Sequence, residues 1–265
     1  MRWDFKQTAF RSVRDVGLFL TSARSDAQLE ALRQESASGP EAFDRLYENA
    51  PHHDPWASGS PRYHYQRRKY DALLGLLPTR SYRRALDLGC GLGLLTERLS
   101  TYAEEVVGID ISAVAIRHGA ERTRALKNVE MRQGDVMGLG ADLDARFDLI
   151  VIADTLYYLP APIQDELLKT VAARISRLLT PDGIVMLVNH YFPLPNSETR
   201  LTLRIHRAFQ WSPAFVLLSE HRRAFFLATL LGNAGPGRDM SGTSRVPIQS
   251  VGSANSRATE PGRTA

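Results

Sequence analysis

The chain has 265 residues, with hydrophobic side chains at 43% and charged ones at 23%, a globular composition that excludes collagen, coiled coil and wholesale disorder. Its formal charge of +4 raises an anionic partner, but residues 1–80 carry 12 basic and 10 acidic side chains, residues 81–231 carry 17 of each, and residues 232–265 carry 4 and 2. A balanced centre lacks the basic groove of a nucleic-acid enzyme, so no nucleic-acid partner is expected.

The first ten residues, MRWDFKQTAF, have no apolar run of the signal-peptide kind, and a cytoplasmic protein is expected. Residues 26–34 and 41–47 have helical spacing, separated by a Ser/Gly/Pro breaker at 36–40. His52 and His53 are adjacent, an arrangement that rarely holds one ion, and no metal site is expected. Residues 62–77 place Tyr63, Tyr70, Leu73, Leu74 and Leu77 on one face, predicting a helix that Pro78 ends. Within it, Arg67-Arg68-Lys69 is the longest basic run and reads as a solvated face.

After Arg84 short apolar runs alternate with amphipathic segments. Strands are predicted at 85–88, 106–109, 129–132, 147–153 and 184–189, with helices at 94–100 and 113–124, the second capped by Ser112. Pro162 opens a further helix whose apolar stripe runs from Ile163 to Leu179, and Pro181-Asp182-Gly183 is the turn expected to stop it. A helix follows at 198–209, then two apolar runs at 214–218 and 224–230, too close together for a parallel crossover. Their hairpin should place one antiparallel strand in an otherwise parallel α/β sheet of seven strands, with helices on both faces. The longest apolar stretch, 224–231, has eight residues where a membrane span needs about 20, so no membrane partner is expected. From Gly232 the composition turns to Gly, Ser, Pro and Thr, and residues 232–265 read as a disordered tail.

One segment concentrates the chemistry. Strand 85–88 runs through Asp87 into Gly89-Cys90-Gly91-Leu92-Gly93 and then a helix. Such glycines take positive φ and let a ligand approach backbone, while the helix start offers N–H groups. A dinucleotide turn needs glycine at position 94, where leucine stands. An acid two residues before the first glycine repels a pyrophosphate and suits a cation, which points Asp87 to S-adenosylmethionine, a carrier of ammonium and sulfonium. The next strand ends at Asp110, 17 residues after Gly93, where a carboxylate can accept both ribose hydroxyls. Cys90 is the chain's one cysteine and excludes an internal disulfide or a multi-cysteine zinc site.

On these residues the chain resembles the class I S-adenosylmethionine-dependent methyltransferases, from about residue 85 through 231, a Rossmann-like domain for which the extra antiparallel strand is a hallmark. The resemblance implies cofactor contacts at Asp87, Gly89, Cys90, Gly91 and Gly93, at Asp110 with Ile111 against the adenine, and at Asp135 and Val136 beside the adenine amino group. Asp154, after the fourth strand, would face the methionine portion and the acceptor. Ile111 could equally be core, and Asp154 a helix cap.

Two further segments, Asp54-Pro55-Trp56 with Tyr63 and Arg67-Arg68-Lys69-Tyr70, and Asp154-Thr155-Leu156-Tyr157-Tyr158-Leu159, resemble one subgroup, the nodulation protein S (NodS-like) N-methyltransferases, which act on an amino sugar. That family more often has Glu where Asp154 stands. The resemblance implies a small-molecule amine acceptor, with no obligate protein partner. Asp154, Tyr157 and His190 are the candidate catalytic residues. Trp56, Tyr63, Tyr158 and Tyr191 are candidates for the acceptor site, with residues 1–80 as its lid and Trp56 equally readable as an anchor. Two alternatives stay open: an O-methyltransferase with His190 as base, and a protein of this fold that binds the cofactor without turnover.

Overall fold

The computed structural model describes residues 13–36, 38–192 and 196–235. Helices α1 (Val13–Glu35) and α2 (Gly39–Asn49), one 3-10 turn at Pro51–His53 and helix α3 (His64–Leu74) come first. Helix α1 is far longer than the predicted 26–34, because its first turns leave Val13, Val16 and Leu20 exposed and show no apolar stripe. Ser38 caps α2, its hydroxyl accepting the Glu41 N–H at 3.4 Å.

Five strands then alternate with helices: β1 (Tyr82–Leu88), α4 (Leu94–Leu99), β2 (Ala103–Asp110), α5 (Ala113–Thr123), β3 (Val129–Gln133), β4 (Phe147–Ala153), α6 (Asp165–Leu178) and β5 (Leu179–Tyr191). Helix α7 (Ser197–Gln210) and the pair β6 (Phe215–Arg223) and β7 (Phe225–Asn233) follow. The sheet order is β3-β2-β1-β4-β5-β7-β6. The strands from β3 through β5 pair in parallel, whereas β7 is antiparallel to β5 and β6. This is the expected seven-stranded, Rossmann-like architecture.

Alternate side chains explain why the strand sequences read as continuous apolar runs. Leu86, Ile109, Ile150, Ile152 and Leu187 enter the core under α6 and α7, while Ala85, Val106, Leu149, Val151 and Met186 enter the opposite one. A third cluster joins Leu29 and Leu32 of α1 and Phe43, Leu46 and Tyr47 of α2 to Val114 and Ala115 of α5. It lays the N-terminal helices over the carboxyl end of the sheet. There the order reverses between β1 and β4, the place where open α/β sheets form a ligand crevice.

Three boundaries differ from expectation. The Pro181–Gly183 turn lies inside β5 as an irregularity: Leu179 pairs with Phe147 and Ile184 with Leu149. Helix α6 starts at Asp165, with Gln164 rather than Pro162 at its edge. Strand β7 continues to Asn233, into the segment read as tail, because Gly232 pairs with both Ile184 and Val216. The rest of that tail, 236–265, lies outside the described residues. No helix among the described residues is long and apolar enough to cross a membrane.

Candidate active site

The glycine turn is suspended from β2. Gly89 and Cys90 N–H both donate to the Ile109 carbonyl, at 2.7 and 3.1 Å. The Asp110 carboxylate accepts the Gly91 N–H at 2.8 Å and the Ser112 N–H at 3.0 Å. Burial raises the Asp110 pKa, and those two N–H bonds oppose the rise. Gly89 and Gly91 have φ of 75° and 51°. A Cβ would lie 2.2 Å from Thr155 Oγ1 at the first and 2.9 Å from the Tyr47 hydroxyl at the second, so both positions demand glycine sterically as well as conformationally.

A cavity of about 570 Å³ opens above these strand ends, within the range of small-ligand sites. Gly89, Cys90, Gly91, Asp110, Ile111, Asp135 and Val136 line it, and so do Tyr63, Asp154, Tyr157 and His190. Trp56 and Tyr158 also line it. The Asp135 carboxylate caps the short turn that follows, accepting the Met137 N–H at 2.9 Å.

Asp87, Gly93 and Tyr191 do not line the cavity. Gly93 instead forms the left-handed N-cap of α4. Strand alternation sends Tyr191 away from the side that His190 takes, into burial beneath the Arg222 guanidinium. Asp87 is 2% exposed and accepts the Thr96 hydroxyl at 2.6 Å, behind the turn. Burial pushes its pKa up to about 7, against the Thr96 bond.

A carboxyl raised on folding is stabilising below its unfolded pKa of 3.8, and that contribution is lost as pH rises through about 7. Asp87→Asn has no such loss. Between pH 5 and 7 the stability of the variant relative to wild type is expected to improve by roughly 2–3 kcal/mol, up to about 1.36 kcal/mol for each pH unit. Thermal unfolding across that range measures it, and a constant difference refutes the assignment.

Beside the glycine turn, Asp154 follows β4 with φ 56°, a left-handed conformation held by its N–H bond to the Val188 carbonyl at 2.9 Å. Its Oδ2 pairs with Lys69 Nζ, and Oδ1 lies 3.9 Å from His190 Nε2. Burial alone would raise the Asp154 pKa, but the positive charges of His190, when protonated, and Lys69 outweigh it and hold the carboxyl below its usual range. Burial lowers the His190 pKa; Asp154 opposes the shift and Lys69 adds to it. The Tyr157 ring stacks on His190 at 6.1 Å.

The basic run is therefore not a solvated face. Tyr65, Lys69 and Leu73 recur every fourth residue and form the buried stripe of α3, which leaves the Lys69 side chain 0% exposed. Arg68 reaches Asp15 at 3.5 Å, and Arg67 stays exposed. That helical spacing was the available signal for Lys69.

No local signal marked the residues that fasten the cover. Asp26 Oδ1 accepts from Trp56 Nε1 at 2.9 Å and from the Tyr158 hydroxyl at 2.6 Å, and Arg33 donates to the Tyr158 carbonyl. Trp56 thus serves as both wall and anchor. These bonds tie α1, which contributes Ser22, Glu30 and Arg33 to the cavity lining, to the turn after β4 and to Trp56.

Comparison with known proteins agrees with this architecture. The family model described as nodulation protein S (NodS) matches residues 39–190. Nodulation protein S of Azorhizobium caulinodans is 30% identical over 141 residues, 53% of this chain and 64% of that protein. A ubiquinone biosynthesis O-methyltransferase of Alkalilimnicola ehrlichii is 31% identical over 136 residues, 50% of this chain and 52% of that one. The chain matches less than two thirds of the length of these curated relatives. The N-methyltransferase NodS from Bradyrhizobium japonicum WM9, solved with S-adenosyl-L-homocysteine, shares the fold at a TM-score of 0.56 and 19% identity, covering 81% of this chain and 99% of that one. Since the family model takes in more than half of the sequence, from the start of α2 to His190 at the cavity wall, the chain belongs to the nodulation protein S (NodS) family.

Proposed function

We propose that the protein is an S-adenosylmethionine-dependent methyltransferase acting on a polar small-molecule amine, of the amino-sugar class. The observation that carries this reading is one cavity lined by two chemically distinct groups: the glycine turn clamped by Asp110, and the Asp154 and His190 pair beside Tyr157. The residues present suit the cofactor. Two positive-φ glycines bare the backbone, Asp110 stands where ribose hydroxyls need an acceptor, and Asp135 can accept from an adenine amino group. An amine acceptor is supported by the NodS of Bradyrhizobium japonicum WM9, an N-methyltransferase.

When bound, that cofactor supplies a methyl carbon on a sulfonium sulfur; the bond to the acceptor forms as the carbon–sulfur bond breaks, its electron pair remaining on sulfur. The protein has to hold the acceptor in line and keep water out, which together are worth roughly 7–11 kcal/mol. Tyr63, Tyr157 and Trp56 offer ring faces and hydroxyls to a polar ring such as a sugar. His190 Nε2, in its neutral form, can take the proton that the methylated amine releases.

O-methylation is the second reading, favoured by the O-methyltransferase relative and by a carboxylate and imidazole 3.9 Å apart. His190→Ala separates the two. With an amine acceptor the rate is expected to fall about tenfold, because a neutral amine needs no deprotonation before attack. With an alcohol the loss should reach about 10²–10⁴-fold. Detection of S-adenosylhomocysteine across a panel of amines and alcohols measures both. Formation of no product by the wild-type protein would leave the non-catalytic reading standing instead.

A further inference from the structure

Burying an ammonium is costly unless it is paired, and Lys69 is buried in a particular place. Its Nζ binds Asp154 Oδ2, and the Phe226 ring lies 5.9 Å away. Asp154 Oδ1 is shielded from water and has no hydrogen-bond donor among the described residues, although Asp154 lines the cavity. The groups that act on this carboxylate come from several elements. They are Lys69, Tyr65 and Tyr70 of α3 with Tyr63 just before it, His190 of β5 and Tyr157 of the turn after β4. Asp26 of α1 acts on His190. Lys69 supplies the positive charge of this set.

We propose that Lys69 is a positioning residue for the methyl acceptor: by binding Oδ2 it holds the Asp154 carboxylate in one orientation and leaves Oδ1 for the acceptor. Its ammonium also adds to the burial that disfavours protonation of the neighbouring His190 ring, against the pull of Asp154, and so helps that ring stay able to receive a proton. The arrangement selects an acceptor that arrives neutral and bears an N–H or O–H to donate to Oδ1. An anionic acceptor, a carboxylate or thiolate, meets that oxygen as a like charge. The proposal rests on the methyltransferase reading, but its test needs neither ligand nor turnover.

The test is the titration of the His190 imidazole, followed by ¹⁵N NMR from pH 5 to 9 in the full chain. In wild type the midpoint should lie below 6.5. In Lys69→Met it is expected to rise by about one unit, the ordinary effect of removing a nearby like charge, and in Lys69→Arg to stay with wild type. A midpoint in Lys69→Met within about 0.3 units of wild type overturns the proposal. Should Lys69→Met fail to fold, Asp154→Asn carries the test in the opposite sense: losing the carboxylate beside a retained ammonium is expected to lower the midpoint, and an unchanged value overturns the proposal equally. Calorimetry with S-adenosylhomocysteine on wild type keeps the two ideas apart. Absence of binding there counts against the methyltransferase reading and with it the acceptor, while the titration decides separately whether Lys69 acts on the Asp154 and His190 pair.

Discussion

Asp110→Ala is expected to weaken S-adenosylhomocysteine binding by about 100-fold or more and to lower stability by about 3 kcal/mol. The carboxylate holds the Gly91 and Ser112 N–H groups at once, so its removal releases both the glycine turn and the start of α5. Each buried N–H left without a partner costs about 1–3 kcal/mol. The ligand loses as well, because Asp110 lines the cavity where ribose hydroxyls would need an acceptor. Asp110→Asn keeps one acceptor oxygen and should fall between wild type and alanine in both measurements. Calorimetric titration and thermal unfolding read the two effects separately. Were alanine to lose stability while binding the ligand as tightly as wild type, Asp110 would be a structural clamp and nothing more.

The glycine turn and Asp110 were legible in the sequence because their chemistry is local: five residues and one strand end fix the turn, and the next strand fixes the acid. The sheet was legible for a related reason, since β1, β2, β4 and β5 are buried on both faces and read as apolar runs. What escaped depends on contacts far apart along the chain. Asp26 meets Tyr158 from 132 residues away, and nothing around Asp26 distinguishes it from a solvated helix acid. Lys69 closes a basic run that looks exposed, and its partner is 85 residues distant. Asp87 shows the opposite failure. Its spacing to the glycines is a sound signal of the turn, but the carboxylate supports the turn from behind through Thr96 and does not line the cavity. Motif spacing identifies a glycine turn without telling which side of the backbone each member faces.

A second large effect is expected at Gly91, where two separate costs can be told apart. Gly91→Ala should lose about 2 kcal/mol of stability and roughly 30-fold in S-adenosylhomocysteine affinity. About 1 kcal/mol comes from placing a Cβ at φ 51°. The remainder comes from the Tyr47 hydroxyl, 2.9 Å from that Cβ, on a ring that is itself buried and part of the cavity wall. If the ring must shift, the wall shifts with it, and affinity falls together with stability. Tyr47→Phe removes the hydroxyl and should by itself behave nearly as wild type. Combined with Gly91→Ala it should recover about half of the lost stability and most of the affinity, because the steric share is relieved while the backbone share stays. A double variant no better than Gly91→Ala would place the whole cost in the backbone, and the close packing of α2 against the turn would then have no part in binding.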